Sequence, residues 1–284
     1  MKTRNLELSY EFFPPRTEIG REKLAQTRTE LAKLNPEFFS VTFGAGGSTR
    51  DNTLETVIDI QRNSTVDACP HLTCVGATNA EIIEMLEQYK QNGIHRLVIL
   101  RGDLPSGMVG MGECKHASDL VTLIRKEFAS HFTIAVAAYP EAHPNSKNLH
   151  TEIHYFSEKM NAGADFAITQ YFYNSDSYYN FMDLCAKNNI TKPVLPGIMP
   201  IANFDNLKKF SKHCGAEIPR WIKKSMSAYE HDLEYQRQFG IEIVSRMSEK
   251  LIQFGVPGFH FYTMNQSELT RTIVQNLGLS DQPA

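Results

Sequence analysis

Cysteine is scarce in this 284-residue chain: 5 in all, an odd number and too few for a disulfide-stapled scaffold, which fits a reducing compartment. Tryptophan is scarcer still, with Trp221 the only one. No apolar run approaches the length of about 18 residues that a membrane-spanning helix needs. Met1 to Glu11 carries Lys2 and Arg4 but no apolar stretch of signal-peptide length. Excess charge is missing as well. The 29 Lys and Arg against 32 Asp and Glu leave a net charge of -3, without the basic footprint of a nucleic-acid binder. These absences lead us to expect a cytoplasmic protein with neither nucleic acid nor membrane as partner. Internal repeats, low-complexity tracts and Pro/Gly/Ser-rich linkers are absent too, so 1–284 is expected to be a single domain.

What is present is 42% apolar side chains, enough to bury a large core, arranged in a regular alternation. Short apolar or β-branched runs at 6–13, 37–43, 67–75, 94–100, 132–139, 164–172, 193–199 and 258–262 predict eight strands. Segments of helical period lie between them at 20–34, 51–62, 78–92, 117–129, 149–162, 176–189, 203–213 and 236–254. Thr78 and Asn79 supply a helix start, and Gly93, Gly163 and Gly255 follow helices where a left-handed residue is wanted. Strict alternation of strand and helix argues for a parallel sheet, and eight units without a break favour a closed (β/α)8 barrel over an open doubly wound sheet. The segment 214–235, containing Pro219 and Trp221, reads as an extra helix inserted before the eighth unit.

Active sites of such barrels collect at the C-terminal ends of the strands. Here those ends carry Glu11, Thr42, His71, Arg101 with Asp103, Tyr139 with His143, Gln170 and Tyr262. Each alone could cap a strand or face solvent; together they form a polar rim. Glu11 lies among Tyr10, Phe12, Phe13, Pro14 and Pro15, where burial would raise a carboxyl pKa and keep a general acid protonated, unless Arg16 or Arg101 pairs with it and holds it ionised. Arg101 can meet a phosphate with two hydrogen bonds, and Asp103 can face a cation or a heterocycle. Gly44 to Thr49 matches neither the P-loop nor the dinucleotide fingerprint. No metal site is expected: Cys69 and His71 point to one face of their strand and Cys74 to the other, and His150 and His154 lack the Glu of a zincin helix. A Schiff-base lysine at a strand end and a Gly-x-Ser-x-Gly elbow are both missing.

Several strings are distinctive: Glu11-Phe12-Phe13-Pro14-Pro15-Arg16, Ser40-Val41-Thr42-Phe43-Gly44-Ala45, Pro70-His71-Leu72-Thr73-Cys74, Leu100-Arg101-Gly102-Asp103-Leu104-Pro105, Ala138-Tyr139-Pro140-Glu141-Ala142-His143-Pro144, Ile168-Thr169-Gln170, Pro196-Gly197-Ile198-Met199-Pro200 and Phe259-His260-Phe261-Tyr262-Thr263. From about residue 8 to 278 they resemble, in order, the methylenetetrahydrofolate reductase family. The resemblance implies a FAD-containing (β/α)8 barrel that reduces 5,10-methylenetetrahydrofolate to 5-methyltetrahydrofolate, a methyl source for methionine synthesis. NAD(P)H, with NADH favoured, would reduce the flavin and leave before folate enters the same pocket. It implies catalytic roles for Glu11, as general acid, and for Asp103, beside flavin and pterin. Thr42, Phe43, Ala45, His71, Arg101, Gly102, His116, Ala117, Tyr139, His143, Glu152, Tyr155 and Lys159 fall on cofactor-contacting positions. Asp103, Gln170, Asn206, Phe210, Tyr262 and Gln266 fall on the folate side, with Thr42, Gln170 and Phe210 shared by the nicotinamide. His116 and Tyr155 depart from the family's residues, Glu152 replaces a more usual Asp, and Gln266 stands where a relative's Arg could meet the glutamate tail. A homotetramer or homodimer without the C-terminal regulatory domain of longer relatives, insensitive to S-adenosylmethionine, is the further expectation. On the residues themselves, a flavin-free pterin transferase or lyase and a non-catalytic folate or flavin binder stay open.

Overall fold

The computed structural model describes residues 6–43, 47–102 and 112–280. β1 (Glu7–Phe12) is followed by α1 (Glu18–Ala32), β2 (Phe38–Val41) by α2 (Gly47–Asn63), and β3 (Asp67–Thr73) by α3 (Asn79–Gln91). Next come β4 (Arg96–Leu100) with α4 (Ala117–Phe128), β5 (Thr133–Ala138) with α5 (Leu149–Asn161), and β6 (Phe166–Thr169) with α6 (Ser175–Lys187). The seventh run is split into β7 (Val194–Leu195) and β8 (Gly197–Ile198). Three helices follow it, α7 (Phe204–Cys214), α8 (Arg220–Ala228) and α9 (Leu233–Phe254), before β9 (Gly258–Tyr262) and α10 (Glu268–Asn276).

Among the described residues every strand pairing is parallel, in the order β7-β6-β5-β4-β3-β2-β1-β9-β8. Because β7 and β8 adjoin in the chain, that row is a ring. Pro196 explains the split. Without an N–H to give to a ladder, it separates β7, which pairs with β6, from β8, which pairs with β9. Its carbonyl still accepts the His260 N–H at 3.1 Å, holding the junction. The expected (β/α)8 barrel is therefore present, and the expected extra helix is α8. The sixth strand stops earlier than its apolar run, which reaches 172. There the Gln170 side chain accepts the Tyr171 N–H at 3.0 Å and turns the chain outward.

Local chemistry agrees with these boundaries. Thr78 caps α3 in a reciprocal box with Glu81, and Gly93, Gly163 and Gly255 take φ of 74°, 121° and 98°. Alternate strand residues divide the core in two. One set, including Leu8, Tyr10, Phe12, Phe39, Val41, Leu72, Ile99, Ile134, Phe259 and Phe261, packs outward into a large apolar layer beneath the helices. The other set points inward. Phe38, Cys69, Val98, Ala135, Ile168 and Leu195 plug the lower barrel. Above the plug the inward positions are small or polar, among them Ser9, Ser40, Ala137 and Gly197, instead of the bulky branched residues that usually fill such barrels. That substitution of small for large leaves a cavity at the C-terminal mouth.

Gly197 shows how closely the strands meet there. A Cβ on it would lie 2.1 Å from the Thr169 carbonyl oxygen and 2.6 Å from the Tyr262 ring. We expect Gly197→Ala to cost about 1–3 kcal/mol by overpacking, read as a lower urea midpoint with an unchanged m-value; an unaltered midpoint would contradict the close approach.

Candidate active site

The barrel mouth holds a cavity of about 380 Å³. Glu11, His71 and Tyr262 reach it from the ends of β1, β3 and β9, and Thr42, Phe43, Tyr139 and Gln170 from just beyond the ends of β2, β5 and β6. Met199, after β8, and Phe210, His213 and Cys214 of α7 complete the wall. The inward register that places Glu11 on the wall also places Ser9 beneath it and sets both beside His260 and Tyr262 of β9.

At the floor, Glu11 Oε2 lies 3.3 Å from His71 Nε2 and 3.8 Å from His260 Nε2. All three are sequestered, with side chains 17%, 7% and 1% exposed respectively. The neighbours of Glu11 among the described residues are thus histidines, not Arg16 or Arg101. His260 is oriented from below, with Nδ1 2.8 Å from Ser9 Oγ, Nε2 3.5 Å from Ser40 Oγ and its ring stacked on Phe38 at 5.8 Å. Burial holds His71 below the usual imidazole range, and nearby His260 adds to this against the pull of Glu11. His71 is therefore neutral near pH 7 and gives Glu11 no fixed positive charge. Its buried Nε2 makes no hydrogen bond by geometry, its nearest polar neighbour being the Glu11 carboxyl at 3.3 Å. Tyr262 donates to the Thr169 carbonyl at 2.7 Å; burial, and then the Glu11 carboxyl, push its phenol well up, so it stays protonated.

A second lobe of about 220 Å³ adjoins the first through shared walls at Leu100, Ala137 and Tyr139. Arg101, His116, Ala117, His143, Glu152, Tyr155 and Lys159 line it, so the start of α4 opens onto it. Glu152, 2% exposed, accepts the His143 N–H at 3.2 Å and the Ser146 hydroxyl at 2.6 Å. The His143 ring stands edge-on to Tyr139 with centroids 4.7 Å apart. Lys159 donates to the Ala137 carbonyl at 2.5 Å and lies 5.7 Å from the Tyr139 ring centre. Burial pushes its ammonium down to about 8, against the pull of Glu152.

α7 crosses the rim of the first lobe. Tyr171 fixes it, with its hydroxyl 3.0 Å from Ser211 Oγ and accepting from Cys214 Sγ at 3.3 Å. Asn203 caps the helix start, and buried Gln236 accepts the Phe204 N–H at 3.0 Å. Phe210 is left 43% exposed over the opening.

The residues predicted from sequence divide accordingly. Thr42, Phe43, His71, Tyr139, Gln170, Phe210 and Tyr262 join Glu11 in the first lobe, and Arg101, His116, Ala117, His143, Glu152, Tyr155 and Lys159 line the second, with Tyr139 in both. Gly102 follows Arg101 with φ 84°, on the approach to the site. Asn206 lies on α7 one turn before Phe210, and Gln266 in the turn after β9 donates its N–H to the Thr263 carbonyl; neither is on a cavity wall. Ala45 and Asp103 lie outside the described residues. Sequence reasoning missed Ser9, His260, His213, Cys214 and Met199. The first two had a signal: each sits two residues before a chosen one, Glu11 or Tyr262, and so shares its face.

The family model described as methylenetetrahydrofolate reductase matches residues 1–278. The 5,10-methylenetetrahydrofolate reductase of Buchnera aphidicola subsp. Schizaphis graminum is 42% identical over 274 residues, covering 96% of this chain and 92% of that one. The chain belongs to the methylenetetrahydrofolate reductase family. The Escherichia coli reductase of the same name is 39% identical over 96% of this chain and 91% of its own. A solved Clostridium thermocellum protein that binds two copies of 5-methyl-5,6,7,8-tetrahydrofolic acid superposes with a TM-score of 0.69. It covers 98% of this chain and 95% of that one at 17% identity, a likeness of fold. Within this reductase-family barrel the walls of the two lobes combine residues that the resemblance assigned to ligands with others it did not, among them Val98, Ile168, Tyr171, Ser118 and Asn145.

A lysine with a folded-state pKa near 8 and an ordinary value of 10.5 leaves the unfolded chain binding more protons between those pH values. Its contribution to stability therefore rises with pH across that window. In ligand-free protein, the stability of wild type minus that of Lys159→Met is expected to climb from pH 8 to 10.5 in chemical denaturation. Parallel profiles would show that Lys159 is not desolvated.

Proposed function

We propose that this protein reduces 5,10-methylenetetrahydrofolate to 5-methyltetrahydrofolate as a flavin-dependent, NAD(P)H-consuming enzyme. Family membership carries the reaction. The observation that carries the assignment of the site is Glu11 on the cavity floor, buried against two imidazoles and facing a two-lobed cleft.

The residues present fit a flavin dinucleotide. The first lobe has aromatic and aliphatic walls for a ring system, from Phe43, Leu100, Tyr139, Ile168 and Tyr262. The second has Arg101, Lys159 and the start of α4, features that receive phosphate, and the buried acceptor Glu152. Thr42, Phe43, Ala45, His71, Arg101, Gly102, Asp103, His116, Ala117, Tyr139, His143, Glu152, Tyr155 and Lys159 would hold FAD, with Asp103 also facing the pterin. When bound, the flavin supplies hydride transfer from the nicotinamide to the folate in two half-reactions.

The chain's own part is protonation, orientation and charge. Ring opening of the folate substrate needs a proton, and Glu11 is the acid placed to give it. A neutral His71 and a His260 anchored by Ser9 hold that carboxyl inside the barrel without neutralising it as an arginine would. Opening also creates a cationic iminium, for which Asp103 would be a fixed counter-charge, the electrostatic logic of an oxyanion hole with its sign reversed. Gln170 and Phe210 form one polar and one aromatic wall of a single opening, which suits successive occupation by a nicotinamide and a pterin, and hence a ping-pong order. With Tyr262 they would position the folate, and Asn206 and Gln266 would meet its outer portion. We favour NADH over NADPH and a single catalytic domain working as a homo-oligomer in the cytoplasm.

Purified protein loaded with FAD should show flavin absorbance that NADH bleaches. In Glu11→Gln the bleaching should persist while folate reduction falls by at least about 100-fold, the usual loss on removing a general acid. A colourless protein that cannot be reconstituted with FAD would overturn the flavin assignment, and normal folate turnover in the variant would overturn the role of Glu11.

A further inference from the structure

On the outer surface of the barrel, the hairpin of α8 and α9 leaves its largest apolar groups in solvent. Trp221 is 54% exposed, Leu233 55% and Tyr229 47%. Trp221 and Tyr229 belong to one aromatic ladder. Tyr229 stacks on Tyr235 at 3.8 Å, Tyr235 on Phe239 at 5.6 Å, and Trp221 meets Phe239 edge-on at 6.2 Å. A ladder this ordered and exposed marks an interaction surface.

Two features identify what covers it. First, the projecting Trp221 borders a groove of about 620 Å³ whose walls include Tyr173, Phe239 and Met247, so the face carries both a knob and a hollow. Self-complementarity of this kind is what a two-fold pairing of identical surfaces needs. Second, charge is graded along the hairpin. Arg220, Lys223 and Lys224 at the start of α8 are all exposed, and among the described residues none is ion-paired. Glu230, Asp232 and Glu234, in the turn and at the start of α9, form an exposed acidic end in which Glu230 lies 3.3 Å from the His231 imidazole. Two hairpins set antiparallel across a two-fold axis bring each cationic end against the other's acidic end, with the aromatic ladders between them.

We infer that the α8–α9 hairpin is a two-fold interface with a second copy of this chain, in which Trp221 of each protomer enters the groove of the other. Trp and Arg are the residue types that most often dominate such contacts. The inference is independent of the reaction proposed above and concerns a different set of residues.

The single tryptophan makes the test direct. Sedimentation velocity on the full chain at micromolar concentration should show a self-associating species, with Trp221 emission shifted to the blue and its acrylamide quenching reduced as association proceeds. Trp221→Glu should lower the assembly mass at least by half. The double charge reversal Lys223→Glu/Lys224→Glu should weaken association at least about tenfold, in keeping with the cost of like charges at a contact. Adding Glu230→Lys and Glu234→Lys to that variant should restore it, with circular dichroism showing that every variant is folded. Should Trp221→Glu fail to fold, the charge reversal and its rescue decide alone. A monomer with freely quenchable Trp221 would overturn the inference and leave the face to a different protein. An assembly indifferent to both the Trp221 change and the charge reversal would overturn it too.

Discussion

A carboxyl group inside a parallel barrel must find its partners on neighbouring strands, because each strand's own N–H and C=O groups are committed to the ladder. Glu11 finds two imidazoles, His71 two strands away on β3 and His260 on the adjacent β9. The arrangement works because burial keeps the His71 ring from carrying a fixed positive charge. A buried arginine in its place would bring a permanent positive charge and form an ion pair, which a neutral imidazole does not. The rest of the floor follows from keeping the rings in place. Ser9 and Ser40 bond to His260, and Phe38 lies under it, so the polar layer rests on the apolar plug.

The cavity above that layer exists because the inward positions are small, and small inward residues sacrifice packing. The outer layer compensates. Helices bury the opposite faces of the same strands in a continuous shell of aromatic and branched side chains from β1 round to β9. Stability and binding are thus assigned to opposite faces of each strand, alternating with the two-residue period. Tyr10 and Phe12 hold the barrel together, while Ser9 and Glu11 between them serve the site. Pro196 belongs to the same economy: it gives up ladder bonds next to Gly197, where the chain passes close to Thr169 and Tyr262.

The same period governs what the amino-acid sequence alone reveals. Eight apolar runs separated by helical segments gave the barrel, and position at a strand's end gave Glu11, His71, Tyr139, Gln170 and Tyr262. His260 and Ser9 escaped because a histidine or serine between aromatic neighbours inside a strand looks like part of the core until its parity with the strand-end residue is followed. His213, Cys214 and Met199 escaped for another reason. No local pattern tells that α7 crosses the mouth; the bond of Tyr171 to Ser211 and the tie of Gln236 to Phe204 bring it there. Asn206 and Gln266 show the converse. They were chosen by resemblance, and their positions off both cavity walls follow from α7 geometry and the turn after β9.

The second lobe poses a different electrostatic problem, since it buries a lysine with little to balance it. Lys159 is bonded to the Ala137 carbonyl beside the Tyr139 ring, and its ammonium is disfavoured by burial despite Glu152. Such a group lowers the stability of the empty protein. An anion seated beside it would draw the proton affinity back up, and the energy released would appear as affinity for that ligand. A cation held poorly solvated in advance also loses less on ordering than one recruited from solvent, because its rotamer is already fixed. The penalty in the empty lobe and the preorganisation of the occupied one are therefore the same interaction, seen from two states of the protein.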